Sequence, residues 1–237
     1  MPSKVVASQP STAPSQLESD LYLPADASVF TRLRVAYKAL RALEKVQDDP
    51  VAGALLSAGL DGDVFRSHAA QLAKTAAGRA LLADRPALHR GSVDLGALSK
   101  LEEGTVGRAY AQYYVDNGIL PFESPYEVKN DGDYLMKWYR ETHDVHHIIT
   151  EYGTDPVGEM EVQAFAMGNL GFRHSLFILT FTALLRPLGI APISTYWRRL
   201  IAAYRRGKRT QNLFTVRYEQ YFEEKVETLR ADLKIPA

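Results

Sequence analysis

The sequence predicts an all-α fold, a single multi-helix domain. Apolar residues recur at three- and four-residue spacing from Phe30 almost to the C-terminus. Strand-like alternation is nearly absent, Thr215-Val216-Arg217-Tyr218 being the closest run, and no fixed-period repeat or linker separates two cores. The chain is 237 residues long, enough to bury one substantial core. Met1–Ala27, rich in Ser, Pro and Ala, is expected to be a disordered tail, and residues 28–237 the helical domain.

The first helix is read from Phe30, Leu33, Ala36, Tyr37, Leu40 and Leu43, a stripe expected to face the core, with Asp48-Asp49-Pro50 as its stop. Helical pieces over Val51–Leu60, Val64–Lys74 and Ala76–Leu82 follow, broken at Asp61-Gly62-Asp63 and Asp84-Arg85-Pro86. Leu95–Glu103 reads as a turn of helix and a loop. Thr105 is the N-cap of a helix through Val115 that Asn117-Gly118 ends. Gly118–Lys129, with Pro121 and Pro125, is a loop, and a long helix covers Asp131–Thr150. Three more helices are expected: Val157–Leu185 with a break near Gly168–Gly171, Ile193–Arg206, and Asn212–Leu233.

Formal net charge is zero, so no whole-protein field favours nucleic acid. The absence of cysteine excludes disulfides, thiolate zinc sites, iron–sulfur clusters and a thiol nucleophile. The N-terminal segment has neither the apolar core of a signal peptide nor an Arg-rich amphipathic stretch, which points to a bacterial cytosolic protein. The longest apolar run, Leu176–Leu185, is about half of the ~20 residues a membrane span needs.

Chemistry concentrates in Arg140-Glu141-Thr142-His143-Asp144-Val145-His146-His147. Imidazoles at i and i+4 stack on one side of a helix, within reach of one metal ion. A helical wheel at about 100° per residue puts Leu135, Trp138, Thr142, Val145, His146 and Ile149 on the core side. His143, Asp144 and His147 share an adjacent flank, so His146 is a core residue able at most to orient a neighbour. Gly153 suits a left-handed position after the helix, and Asp155-Pro156 starts the next one, which should run antiparallel beside the first. Glu159, in its first turn, then faces His143 and His147, with Gln163 one turn on as a supporting residue. Two imidazoles with one or two carboxylates suit Zn²⁺, Fe²⁺ or Mn²⁺ better than Ca²⁺ or Mg²⁺. The expected cofactor is therefore a divalent metal, Zn²⁺ foremost, with Fe²⁺, Mn²⁺ or Mg²⁺ as alternatives. Asp144 or Glu159, released from the ion, is the candidate base.

The pattern His143-Asp144-x-x-His147, eleven residues, then Glu159 resembles the signature of the coenzyme Q (ubiquinone) biosynthesis family of the 4-hydroxy-3-methoxy-5-polyprenylbenzoate decarboxylase type. Arg85-Pro86, Asp94-Leu95-Gly96-Ala97-Leu98 and Leu101-Glu102-Glu103-Gly104-Thr105-Val106-Gly107-Arg108-Ala109-Tyr110 are similar to its central segment, in order. Asn212-Leu213, Tyr218-Glu219-x-x-Phe222-Glu223 and Leu229-Arg230-Ala231-Asp232-Leu233 resemble its C-terminal helix. The likeness covers Thr75 to Ile235. It implies zinc ligation by His143, Asp144, His147 and Glu159, a homodimer, peripheral membrane association, and an apolar groove for an isoprenoid tail. The implied activity is a lyase reaction: loss of the ring-C1 carboxylate of a polyprenylated hydroxybenzoate, coupled to hydroxylation there. A non-catalytic quinone-binding scaffold that organises other biosynthetic enzymes is the competing reading.

Two segments bear on a lipid substrate. Phe172, Leu176, Phe177, Leu179, Phe181, Leu184 and Leu185 form an aromatic-rich helix that suits a buried core and equally one wall of a groove. Tyr196-Trp197-Arg198-Arg199-Leu200-Ile201-Ala202-Ala203-Tyr204-Arg205-Arg206 is a basic amphipathic helix of the kind that lies on an anionic bilayer, or simply an ordinary solvated helix. No nucleic-acid motif accompanies it.

Overall fold

The computed structural model describes residues 23, 27–43, 50–124, 127–185 and 193–236. Most of the expected tail, the Asp48-Asp49 stop signal and Pro125 lie outside the described residues. The described chain is helical throughout: α1 (Val29–Leu43), α2 (Pro50–Leu72), α3 (Ala76–Asp84), α4 (Leu95–Leu98), α5 (Val106–Asn117), α6 (Asp131–Thr150), α7 (Pro156–Leu170), α8 (Arg173–Leu185) and α9 (Ile193–Arg209). Two 3₁₀ turns, Leu213–Thr215 and Tyr218–Tyr221, then lead to α10 (Val226–Asp232). Among the described residues there is no strand, only an isolated bridge between Thr105 and Lys225.

The expected caps set several boundaries. The Thr105 hydroxyl accepts from Arg108 N, and Gly118 ends α5 in the left-handed conformation. Arg85, at φ 46°, stops α3 before Pro86. α6 is the central helix. Leu135, Trp138, Thr142, Val145, His146 and Ile149 are all buried, as the wheel predicts. Tyr139, Glu141, His147 and Thr150 are buried as well, so α6 has partners almost all round. It packs chiefly on α2, whose Leu55, Leu56 and Phe65 are fully buried, while α7 packs chiefly on α9. That second contact is unusually close. A Cβ on Gly168 would stand 2.1 Å from Tyr204 O, and one on Gly207 would stand 2.1 Å from Phe165 O.

Three expectations are corrected. Asp61-Gly62-Asp63 does not break a helix. α2 runs through it because the Asp61 carboxylate is used elsewhere, accepting from Arg173 N (2.7 Å), His174 N (3.0 Å) and His174 Nδ1 at the start of α8. Most of the α1 stripe does not face the core: Phe30, Leu33 and Tyr37 are exposed, and of the described stripe only Ala36 is buried, together with Val35 and Ala39 beside it. The helices approach through small residues, Gly59 of α2 lying against Ala36 and the Arg32 carbonyl, and this turns the bulky side of α1 outward. Asn212–Leu233 is not one helix. Asn169 Nδ2 donates to the carbonyls of Gly207, Thr210 and Gln211, and its Oδ1 accepts from Leu213 N. Further on, the Glu224 and Phe222 carbonyls accept from Val106 N and Gly107 N, so this backbone serves the start of α5 instead of a helix of its own. Leu23 is buried in the core.

Candidate metal centre

α6 begins at Asn130, whose side chain accepts from Asp133 N, with Asp131 and Asp133 favourably placed in the first turn. It ends at Glu151, which takes the left-handed conformation (φ 62°) that Gly153 was expected to supply. The turn then closes on Asp155, whose Oδ1 accepts from Val157 N (2.9 Å) and Gly158 N (3.3 Å), with Pro156 opening α7. A Cβ on Gly158 would lie 2.0 Å from the Gly153 carbonyl oxygen, so only glycine permits so tight a return. Glu159 is the next residue. The two helices are not packed along each other as expected: α6 is held by α2 and α7 by α9, and they meet mainly around this turn.

His143, His147 and Glu159 converge. Each offers one ligand atom, and those atoms lie within 4.8 Å of one another, a group able to hold a metal ion. His147 Nε2 is 3.2 Å from Glu159 Oε1, and His143 Nε2 is 4.0 Å from Glu159 Oε2. Asp144 stands at the edge, its Oδ1 3.5 Å from His143 Nδ1. His147 is almost wholly buried. Its Nδ1 lies 3.1 Å from the Tyr152 carbonyl and 3.2 Å from that of Gly153. Carbonyls only accept, so the proton of neutral His147 sits on Nδ1 and the Nε2 lone pair faces Glu159. Buried Nε2 has no partner in hydrogen-bonding geometry despite its nearness to the carboxylate. Two lone-pair donors and a carboxylate turned towards a common point fit a cation better than they fit one another.

The electrostatics agree. Burial alone would lower the His147 pKa, but the Glu159 carboxylate beside it and the Tyr152 carbonyl outweigh that and raise it. Burial would raise the Glu159 carboxyl, and the adjacent His147 and His143 bring it below the usual range instead. Asp144 is likewise lowered against the effect of burial, by His143 and by the Tyr114 hydroxyl. Both carboxylates are therefore ionised at neutral pH, as metal ligands must be.

Sequence reasoning missed the residues that support this group. Tyr114 of α5 donates to Asp144 Oδ2 at 2.5 Å, and its hydroxyl lies 3.2 Å from that of Tyr110. The Tyr113 ring packs 5.8 Å from that of His147. Tyr110, Tyr113 and Tyr114 on one short helix were a visible aromatic cluster, but nothing in the sequence said which helix it met. Gln163 turns to another helix instead: its Oε1 accepts from Ser175 Oγ of α8. His146 is a core residue, as expected, in ring contact with Tyr139, His143 and Tyr218. Burial holds it neutral, and neither ring nitrogen has a partner among the described residues. On α8, Phe172 and Leu179 are buried whereas Leu176 and Phe177 are exposed. The side chains of Phe181, Leu184 and Leu185 lie outside the described residues.

Residues 29–237 match the profile of the family described as coenzyme Q (ubiquinone) biosynthesis protein Coq4. The chain is 32% identical over 171 residues to the mitochondrial ubiquinone biosynthesis protein COQ4 of Coprinopsis cinerea, covering 70% of this chain and 57% of that protein. It is 33% identical over 171 residues to the mitochondrial COQ4 homolog of Aedes aegypti, covering 70% and 61%. The match thus spans about three-fifths of these relatives. In fold it is similar to the crystal structure of a protein of Nostoc punctiforme assigned to ubiquinone biosynthesis, with a TM-score of 0.71, 24% identity, and coverage of 87% of this chain and 97% of that one. The expectation of a bacterial cytosolic protein does not stand, because the curated relatives are named mitochondrial proteins of eukaryotes. No helix among the described residues is long and apolar enough to cross a membrane. The chain belongs to the Coq4 family of coenzyme Q (ubiquinone) biosynthesis proteins.

Proposed function

We propose that this chain is a metal-dependent decarboxylase of ubiquinone biosynthesis that removes the ring-C1 carboxylate of a polyprenylated hydroxybenzoate. The reading rests on one observation: the ligand atoms of His143, His147 and Glu159 gather within 4.8 Å of one another, with His147 fixed in the metal-binding tautomer. Asp144 is the fourth ligand in this proposal, held ready by Tyr114. A divalent ion, Zn²⁺ foremost, supplies Lewis acidity towards the substrate carboxylate or phenolic oxygen. The C1–carboxyl bond breaks and carbon dioxide leaves. In the coupled hydroxylation the electron pair left on C1 passes to O₂, the two-electron oxidant, so that the acid, O₂ and water give the C1 hydroxyl, carbon dioxide and hydrogen peroxide. Glu159, the more exposed carboxylate, is the group free to take or return a proton at its Oε2. The isoprenoid tail lies along α8, where Leu176 and Phe177 are exposed, and Trp197 and Ile201 of α9 face an anionic membrane surface.

Two measurements test this together. The purified chain loaded with metal should release carbon dioxide from a prenylated hydroxybenzoate under oxygen, and His147→Ala should abolish both metal retention and turnover. If both proteins bind the lipid equally and neither turns it over, the quinone-binding scaffold is the correct reading.

A further inference from the structure

A second concavity lies where the last turns of α9 meet the end of α6 and the C-terminal residues. A cavity of about 680 Å³ is lined there by Thr150, Tyr152, Arg205, Arg206, Arg209 and Arg230. Among the described residues, four guanidinium groups share this concavity with one carboxylate, Glu151. Two of the four are accounted for. Arg206 donates from Nη1 to Thr150 O and from Nε to Pro236 O, both at 2.7 Å, and its guanidinium lies 5.4 Å from the Tyr152 ring centre. Its partners are carbonyls, that of Thr150 at the negative end of α6 and that of Pro236 near the C-terminus, so its charge is met only by dipoles and the Tyr152 ring. Arg230 pairs with Glu151 at 2.5 Å.

Arg205 and Arg209 make no ion pair or hydrogen bond among the described residues. They stand one helical turn apart, so both guanidinium groups reach the same opening. α9 carries six basic residues and no acidic one, so nothing on its own helix neutralises them. Arg205 and Arg209 are both exposed, so water alone meets their charge in the free chain, and an anion that spans the two would take its place. The guanidinium fork matches phosphate oxygens two at a time. The remaining wall, Tyr152, Ala202 and Pro236, is apolar, and the volume is that of a small-molecule site.

We propose that this cavity binds a phosphoryl group carried on a small organic molecule, held by Arg205 and Arg209 with Arg206 and Arg230 behind them. Such a group comes either from a soluble phosphate ester or from a phospholipid headgroup. The full chain is titrated by calorimetry at low ionic strength with inorganic phosphate, glycerol 3-phosphate and dihexanoyl phosphatidate. Saturable one-to-one binding of at least one probe is expected, weakened about tenfold or more in R205Q/R209Q. R198Q/K208Q removes the same charge from exposed positions of α9 outside the cavity and should bind as the wild type does. Binding of phosphatidate alone assigns the headgroup source; binding of glycerol 3-phosphate as tightly assigns the soluble one. If R205Q/R209Q does not fold, R205K/R209K, which keeps the charge but not the fork, should weaken binding several-fold while R198K does not. No saturable binding of any probe, or equal weakening in both double variants, overturns the proposal. Neither double variant touches a metal ligand, so metal content should be unchanged whatever becomes of the decarboxylase reading.

Discussion

Asp144 owes its ionised state in a crowded place to one neighbour on another helix. The Tyr114 hydroxyl is buried and pushed well above its ordinary pKa, by burial first and then by Asp144, so it remains a donor. Removing it leaves a half-buried carboxylate short of a charge-assisted hydrogen bond. Tyr114→Phe should therefore cost about 1–3 kcal/mol of stability and weaken metal binding roughly tenfold or more, as read by urea unfolding and by metal titration. His147 makes a prediction about pH. Its metal-free pKa is raised above 6.5, so the stability this gives is complete below 6.5 and is lost as pH rises through the folded value. Glu159, lowered below 4.5, contributes stability above 4.5 that is lost as pH falls through its folded value. The metal-free chain should thus be at its most stable on the acid side of neutrality. Metal competes with the proton for Nε2, so zinc affinity should fall by about tenfold for each pH unit below the folded pKa of His147 and level off above it. A zinc affinity independent of pH across that range would remove His147 from the ligand set.

At the scale of elements, sequence reasoning succeeded where the cause is local and failed where it is distant. The caps at Thr105, Gly118 and Asp155-Pro156 act within a few residues, and α6 announces itself by twenty residues of helical periodicity. The candidate group was legible for the same reason, because His143 and His147 are one turn apart and Glu159 follows a short turn. Tyr114 was not legible, since its pairing with Asp144 spans thirty residues. Asp61 is the clearest failure. Asp-Gly-Asp reads as a break, yet the carboxylate caps α8 from more than a hundred residues away, and α2 continues. That arrangement is testable. Asp61→Ala strands two backbone donors and His174 in the interior and should cost about 3–5 kcal/mol, whereas Asp61→Asn, which keeps the shape, should cost less. Burial would raise the Asp61 carboxyl, but His174 and the two backbone donors lower it below 3.8. The advantage of the wild type over Asp61→Asn should accordingly hold down to 3.8 and vanish only as pH falls through the folded value. Equal denaturation midpoints for the wild type and Asp61→Ala at neutral pH would show that α8 does not depend on this cap.

At the scale of the whole molecule, the candidate metal centre lies on a seam. α1, α2 and α6 form one packed group, α7 and α9 another, and α6 touches α7 little beyond the turn that joins them. His143 and His147 come from one side of that seam and Glu159 from the other. An ion held by all three is therefore a cross-link between packed groups, whose effect extends past the site. A ligand that binds only the folded chain stabilises it by RT ln(1 + [L]/Kd), about 2.7 kcal/mol at a hundredfold excess over Kd. For a domain of this size that corresponds to a rise of roughly 5–10 °C in Tm. Zinc should raise the melting temperature by that amount, a chelator should reverse it, and His147→Ala should show neither change. Because the ion bridges the seam, hydrogen exchange should slow at both the end of α6 and the first turn of α7 when metal is added, leaving α1 and α2 unchanged. Protection confined to α6 would mean that Glu159 does not share the ion, and the centre would reduce to two histidines on a single helix.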